Sequence, residues 1–426
     1  MVLRPSIAIV GNGCAAVECV KALRESRHSG AIHIFADNSF PPYNPTLTTY
    51  FAAGKITYDQ LFPFGNADDF YRAYGLETHL DSPVTAIDVN NRIVRNTAGE
   101  EIRFDQCLIA TGASPVLPPI PGIQSTRVLT MRSIGDAVRL KEAIAAGLKR
   151  AIVVGASVVG VKVVEVFADA GIEVCLADVA DHVLPLAAHP DCAAVIEQRL
   201  QSRGVHLRLG AGIEAIEETS SGVRAYLKDS PPAESAELLV ICIGVRPNVG
   251  FMDKKAIAVD RGILVDEHMR TNVEGIYAAG DVAQGRNLLS GERQLIGLWA
   301  NARYQGRTAG LHMAGVEASY SGEIPNYITH FLGMTFASIG TTSGADHDTR
   351  IVKGDSHAQF FWRQGRLIGA NLLDCDLPAG VIRHKLKKAC TVASGCKLDE
   401  SELFAASGAA DLQSLFDVRS GSEAGA

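Results

Sequence analysis

Gly11, Gly13 and Ala16 are spaced as G-x-G-x-x-A, directly after the apolar run 6–10 and directly before residues with helical spacing, 17–25. Residue types in this pattern bind phosphate. Gly11 permits a tight turn, Gly13 lets backbone N–H groups approach a pyrophosphate, and the following helix N-terminus carries partial positive charge. A second apolar run, 32–35, ends at Asp37-Asn38, where a carboxylate can hydrogen-bond ribose hydroxyls. Strand, glycine turn, helix, strand and acid make a βαβ unit of the length a dinucleotide needs.

The pattern recurs. Residues 151–154 lead into Gly155-Ala-Ser157-Val-Val-Gly160, a helix is expected over 161–170, and the apolar run 173–177 ends at Asp178. Ser157 replaces the middle glycine, so close approach is crowded but not blocked. Further turns follow apolar runs at Thr111-Gly112, at Gly244 and at Gly280-Asp281. Two such units imply two dinucleotides in one chain. Asp178 favours a free ribose 2′-hydroxyl over a 2′-phosphate, and no arginine lies in the following 179–182. NADH is therefore expected over NADPH, with Asp178 capping a local turn as the alternative.

The bulk numbers agree. Glycine is the one anomaly, 41 of 426 residues, against a usual share of about 7%. With no G-X-Y period and only 17 prolines, the excess belongs at turns and close approaches. A net charge of −7 gives no basic footprint for nucleic acid or an anionic membrane. The apolar runs are far short of a membrane span. Nine cysteines without a C-x-x-C pair read as reduced, buried thiols, so a cytoplasmic protein is expected. Cys390 and Cys396 lack histidines at zinc spacing, and no metal site is expected.

In these motifs and their order, over residues 5–375, the sequence resembles the flavoproteins related to pyridine nucleotide-disulfide reductases. The branch it is most similar to includes rubredoxin and ferredoxin reductases, NADH oxidases and the flavin half of NADH-dependent nitrite reductase. The resemblance implies an α/β fold with two Rossmann-like dinucleotide-binding domains. An FAD domain over 1–117 and 246–317 would be interrupted by an NAD domain over 118–245. A C-terminal α+β interface domain over 318–404 would follow, then a loosely ordered tail over 405–426. It also implies that Gly11, Gly13 and Ala16 hold the FAD pyrophosphate and Asp37 or Asn38 its ribose. Thr111-Gly112, Gly280-Asp281 and Trp299, ahead of an expected helix 302–313, would complete that site. Gly155, Ser157, Gly160, Asp178 and Gly244 would hold NAD.

One expected feature is missing. Relatives that reduce disulfides or peroxide carry a cysteine near the flavin, but segment 41–54 contains none, so no thiolate nucleophile is available there. Cysteine-free relatives pass electrons to a small redox protein and often pair a lysine in that segment with a glutamate two residues past the NAD motif. Here those positions are Tyr50 and Lys162. Lys162 near the flavin would stabilise an anionic reduced ring. Alternatively it pairs with Glu165, one turn along the same helix, and stays solvated. The expected function is electron transfer from NADH through FAD to a small redox protein, as a homodimer. The alternatives are an electron-transfer subunit of a larger enzyme, or direct action on a small, anionic substrate.

Overall fold

The computed structural model describes residues 5–229, 231–354, 356–375 and 379–391. Cys396 and the tail expected over 405–426 lie outside the described residues. The chain forms two compact units, crossing between them at 114/115, 244/245 and 323/324.

The first unit is built on a five-stranded parallel sheet in the order Ile276–Ala278, Gln106–Ile109, Ile7–Val10, Ile32–Phe35, Glu77–His79. Ile7, Ile9, Ile32, Ile34 and Leu108 are fully buried, as expected for short apolar strands covered on both faces. Helix Cys14–Glu25 starts directly after Gly13, three residues earlier than the apolar spacing suggests. It lies against helix Trp299–Met313. That contact is close because Gly306 and Gly310 face it: a Cβ at Gly306 would collide with the Ala15 carbonyl, and one at Gly310 with that of Cys19. Arg303 crosses the same seam, its Nε and a terminal amine donating to Glu18 Oε1 at 2.9 and 2.7 Å.

The second unit repeats the plan. Its parallel sheet runs His206–Arg208, Glu173–Ala177, Arg150–Val154, Leu238–Ile241, Val128–Thr130. In both sheets the strand before the glycine turn is central, flanked by the next strand in sequence on one side and a later strand on the other. Each unit also carries a three-stranded antiparallel sheet just before that later strand: Val84–Asp88, Ile93–Asn96 and Glu101–Arg103 in the first, Ile213–Thr219, Gly222–Leu227 and Glu234–Ala236 in the second.

The second unit also contains a five-stranded antiparallel sheet, in the order Asn326–Phe331, Met334–Gly340, Arg366–Leu373, Ser356–Arg363, His347–Lys353. Helix Ala379–Thr391 packs on it through Ile382 and Leu386. These strands supply the β part of the α+β character expected over 318–404, and the helix its α part.

Candidate functional site

In an open parallel sheet, ligands bind beyond the carboxyl ends of the strands where strand order reverses. In the first unit that point lies between Ile7–Val10 and Gln106–Ile109, and the glycine turn occupies it. Gly11 has φ +115, and a Cβ there would collide with the Ala110 carbonyl. Only glycine fits. At Gly13 the opposite holds: an added Cβ would find nothing within 4 Å. No side chain caps helix Cys14–Glu25, and the space at Gly13 lies beside the helix N-terminus, where a phosphate is favoured. Ala16 is fully buried one turn into that helix.

A cavity of about 230 Å³ opens beside this turn, lined by Val10, Gly11, Phe35, Asp37, Thr111 and Asn248 among others. Asn38 orients its acidic neighbour: Nδ2 donates to Asp37 Oδ1 at 2.8 Å, and its Oδ1 accepts the Phe40 N–H at 3.0 Å. Thr111-Gly112 is fixed by Asn248, which the sequence reading did not single out as a site residue. Thr111 Oγ1 donates to the Asn248 carbonyl at 2.8 Å, Asn248 Nδ2 to the Thr111 carbonyl at 3.0 Å, and Asn248 N to the Gly112 carbonyl at 3.0 Å. Gly280 has φ +82, and its N–H donates to the buried Gln305 Oε1 at 2.8 Å.

Trp299 opens helix Trp299–Met313 and does not lie ahead of it as expected; Asn301 follows in the same first turn. Asn301 is tied by Ile296 and Tyr320, at 2.9 and 2.6 Å. Phe64 stacks on the Trp299 ring at 6.0 Å between centroids. The indole Nε1 of Trp299 and Oδ1 of Asn12 are buried without a hydrogen-bond partner among the described residues. Such groups are costly to leave unmet. Together with the open cradle at Gly13, they fit this unit to a bound dinucleotide. Tyr50 is half-buried in helix Thr48–Ala52.

The second unit places its turn at the equivalent reversal. Gly155 has φ +110, and a Cβ there would collide with the Cys242 carbonyl; one at Gly160 would collide with the Gly155 carbonyl. Ser157 folds its hydroxyl inward. Its Oγ donates to the Cys242 carbonyl at 2.9 Å and accepts the Gly160 N–H at 3.2 Å, capping helix Val158–Asp169. Asp178 sits at the end of the next strand beside this turn. Its Oδ2 accepts the Ala156 N–H at 2.5 Å and its Oδ1 the Ala180 N–H at 2.8 Å. Gly244 has φ +108 and open space at its Cα.

Lys162 is paired with Glu165, but the pair is buried, each residue 7% exposed, not solvated. The same ammonium donates to the His330 carbonyl at 2.7 Å. His330 thus contributes backbone here, while its imidazole meets Thr335 Oγ1 at 3.0 Å.

Cys14, Cys19, Cys107, Cys175, Cys192 and Cys242 are buried, which disfavours the reactive thiolate. Burial pushes Cys175, Cys192 and Cys242 up to about 12, and Cys14 likewise, with Asp281 adding to it. Among the described residues, no group of three or more His, Cys, Asp or Glu could hold a metal ion.

A family model described as pyridine nucleotide-disulphide oxidoreductase matches residues 5–306. The chain is 30% identical over 337 residues to NADH-dependent phenylglyoxylate dehydrogenase subunit epsilon of Aromatoleum evansii, covering 79% of each chain. It is 26% identical over 387 residues to rubredoxin-NAD(+) reductase of Pseudomonas putida, covering 90% of this chain and 99% of the relative. Among solved structures, the NAD-dependent persulfide reductase from A. fulgidus superimposes with a TM-score of 0.85 at 24% identity, over 91% of this chain and 77% of that one. This last likeness is one of fold.

Proposed function

Starting from the fact that this chain belongs to the pyridine nucleotide-disulphide oxidoreductase family, we propose that it is an FAD-dependent NADH oxidoreductase that delivers electrons to a small redox protein. The observation that carries this reading is the duplication: two parallel sheets that share the order of four of their five strands, each with a glycine turn at its point of reversal. Redox chemistry, hydride uptake from NADH and electron release to an acceptor, is supplied by FAD when bound.

The chain's own residues bind and orient. Gly11 and Gly13 bring backbone N–H groups to the FAD pyrophosphate, and Asp37, held by Asn38, takes its ribose. Ala16, Thr111-Gly112 and Gly280-Asp281 line the same site. Trp299 offers its unmet indole N–H, and the N-terminus of its helix stabilises negative charge on the reduced ring. Gly155, Ser157, Gly160 and Gly244 take NADH, and Asp178 rejects a 2′-phosphate by charge. Tyr50 stands on the flavin side, in a segment without cysteine. The reaction therefore proceeds without a redox-active disulfide. Finer points join this reading: a cytoplasmic location, and a homodimer in which the edge strand Asn326–Phe331 exposes Tyr327 and Ile328. No described helix is long and apolar enough to cross a membrane.

The test is anaerobic stopped-flow of the yellow holoprotein with NADH, followed by a panel of rubredoxins and ferredoxins. Rapid flavin bleaching and reoxidation by one such protein is the expected result. Flavin that stays oxidised for minutes with NADH would overturn the coenzyme assignment. Bleaching without any protein acceptor would move the role to a subunit inside a larger enzyme.

A further inference from the structure

Helix Val158–Asp169 carries the coenzyme turn at its N-terminus and a buried ion pair in its middle. The ion pair is not self-contained. Lys162 Nζ also donates to the His330 carbonyl at 2.7 Å, and Glu165 Oε1 accepts the Leu332 N–H at 3.1 Å. Both links reach one hairpin turn, where Phe331 pairs with Met334 across Leu332-Gly333. Such a turn needs left-handed backbone at both central residues, and glycine or asparagine normally supplies it. Here Leu332 takes φ +49 and Gly333 φ +79. A bulky residue in that conformation is strained, yet Leu332 is 3% exposed and held in place.

Neither device is a cheap source of stability. A buried ion pair repays its desolvation only with good geometry and further hydrogen bonds. What the two accomplish together is registration: the hairpin is bolted to the helix by a charge pair, each member of which also bonds its backbone. We propose that Lys162 and Glu165 are positioning residues that make the Phe331–Met334 turn part of the NADH site, so that the turn stiffens when coenzyme binds and coenzyme affinity depends on the bolt. The inference rests on reading this helix as the NADH-binding one.

Amide hydrogen exchange on the anaerobic holoenzyme, with and without excess NADH, is the deciding experiment. NADH is expected to slow exchange at residues 331–334 in the wild type. Lys162→Met with Glu165→Leu removes both bonds and both charges of the pair together. It should raise KM for NADH ~10-fold, roughly one charged hydrogen bond, while kcat stays within about twofold. Lys162→Met with Glu165→Gln keeps an acceptor for the Leu332 N–H and should restore most of that loss. Unchanged exchange at Leu332 in wild type overturns the inference, as does an unchanged KM in the apolar double variant. If that variant does not fold, the wild-type exchange decides alone. Flavin reduction is followed in parallel: reduction with an unprotected turn rejects this inference only, whereas no reduction rejects the coenzyme reading as well.

Discussion

Asp178 closes the second glycine turn onto itself: one carboxylate oxygen takes the Ala156 N–H and the other the Ala180 N–H. The acid is thus oriented by the turn it sits beside, with its charge at the end of strand Glu173–Ala177.

Asp178→Ala should therefore have two effects. Loss of the carboxylate raises KM for NADH ~10-fold, and loss of its charge narrows or reverses the discrimination against NADPH. Steady-state KM for both coenzymes measures this. A variant with unaltered NADH and NADPH constants would remove Asp178 from the site.

Gly11 and Gly13 should respond oppositely to alanine. Gly11→Ala forces a side chain into the Ala110 carbonyl at φ +115, at a cost of about 3 kcal/mol in stability. Gly13 has φ −85 and free space, so Gly13→Ala should cost less than about 1 kcal/mol. Its effect should fall on flavin retention. Urea unfolding and flavin content after gel filtration separate the two.

Removing Arg303 leaves Glu18, 5% exposed, with Lys21 as its nearest cation at 3.8 Å. Because the Arg303 side chain is 42% exposed, solvent screens part of the loss. Arg303→Ala should destabilise by about 1–3 kcal/mol. Thermal unfolding of the holoenzyme checks it, and a Tm within a degree of wild type contradicts it.

The buried thiols set an alkaline limit. Cys14, Cys175, Cys192 and Cys242 are raised from 9.0 to about 12 in the folded chain. The folded state therefore keeps protons that the unfolded chain loses above pH 9. Stability is fully present below that point and should fall as pH rises toward 12, by about 1 kcal/mol per pH unit for each thiol. Urea unfolding across that window measures the slope, and Cys175→Ala should reduce it. Neutral-pH activity should survive alkylating reagents.

How much of this was legible beforehand depended on range in sequence. The turns at Gly11, Gly155 and Gly280 announced themselves because their physics is local: an apolar strand, a residue that tolerates positive φ, a helix. The burial of the Lys162–Glu165 pair did not, because its partners His330 and Leu332 lie far along the chain. Asn248 was missed for the same reason, its partners being Thr111 and Gly112. Gly306 and Gly310, which mark the close helix crossing, were not singled out, because what they touch, Ala15 and Cys19, lies far back in the chain. The short strands Glu101–Arg103 and Glu234–Ala236 carry no apolar pattern, since their pairing is set by backbone bonds to neighbouring strands.

In the first sheet, strand Gln106–Ile109 pairs on its outer side with Ile276–Ala278. During synthesis that edge must wait, unpaired, until residue 276 has left the ribosome, while the complete second parallel sheet, ending at Ile241, is made in between. An exposed apolar edge is an invitation to mispairing. The order of manufacture thus gives the nascent first unit an unpaired apolar edge that the finished protein closes with Ile276–Ala278.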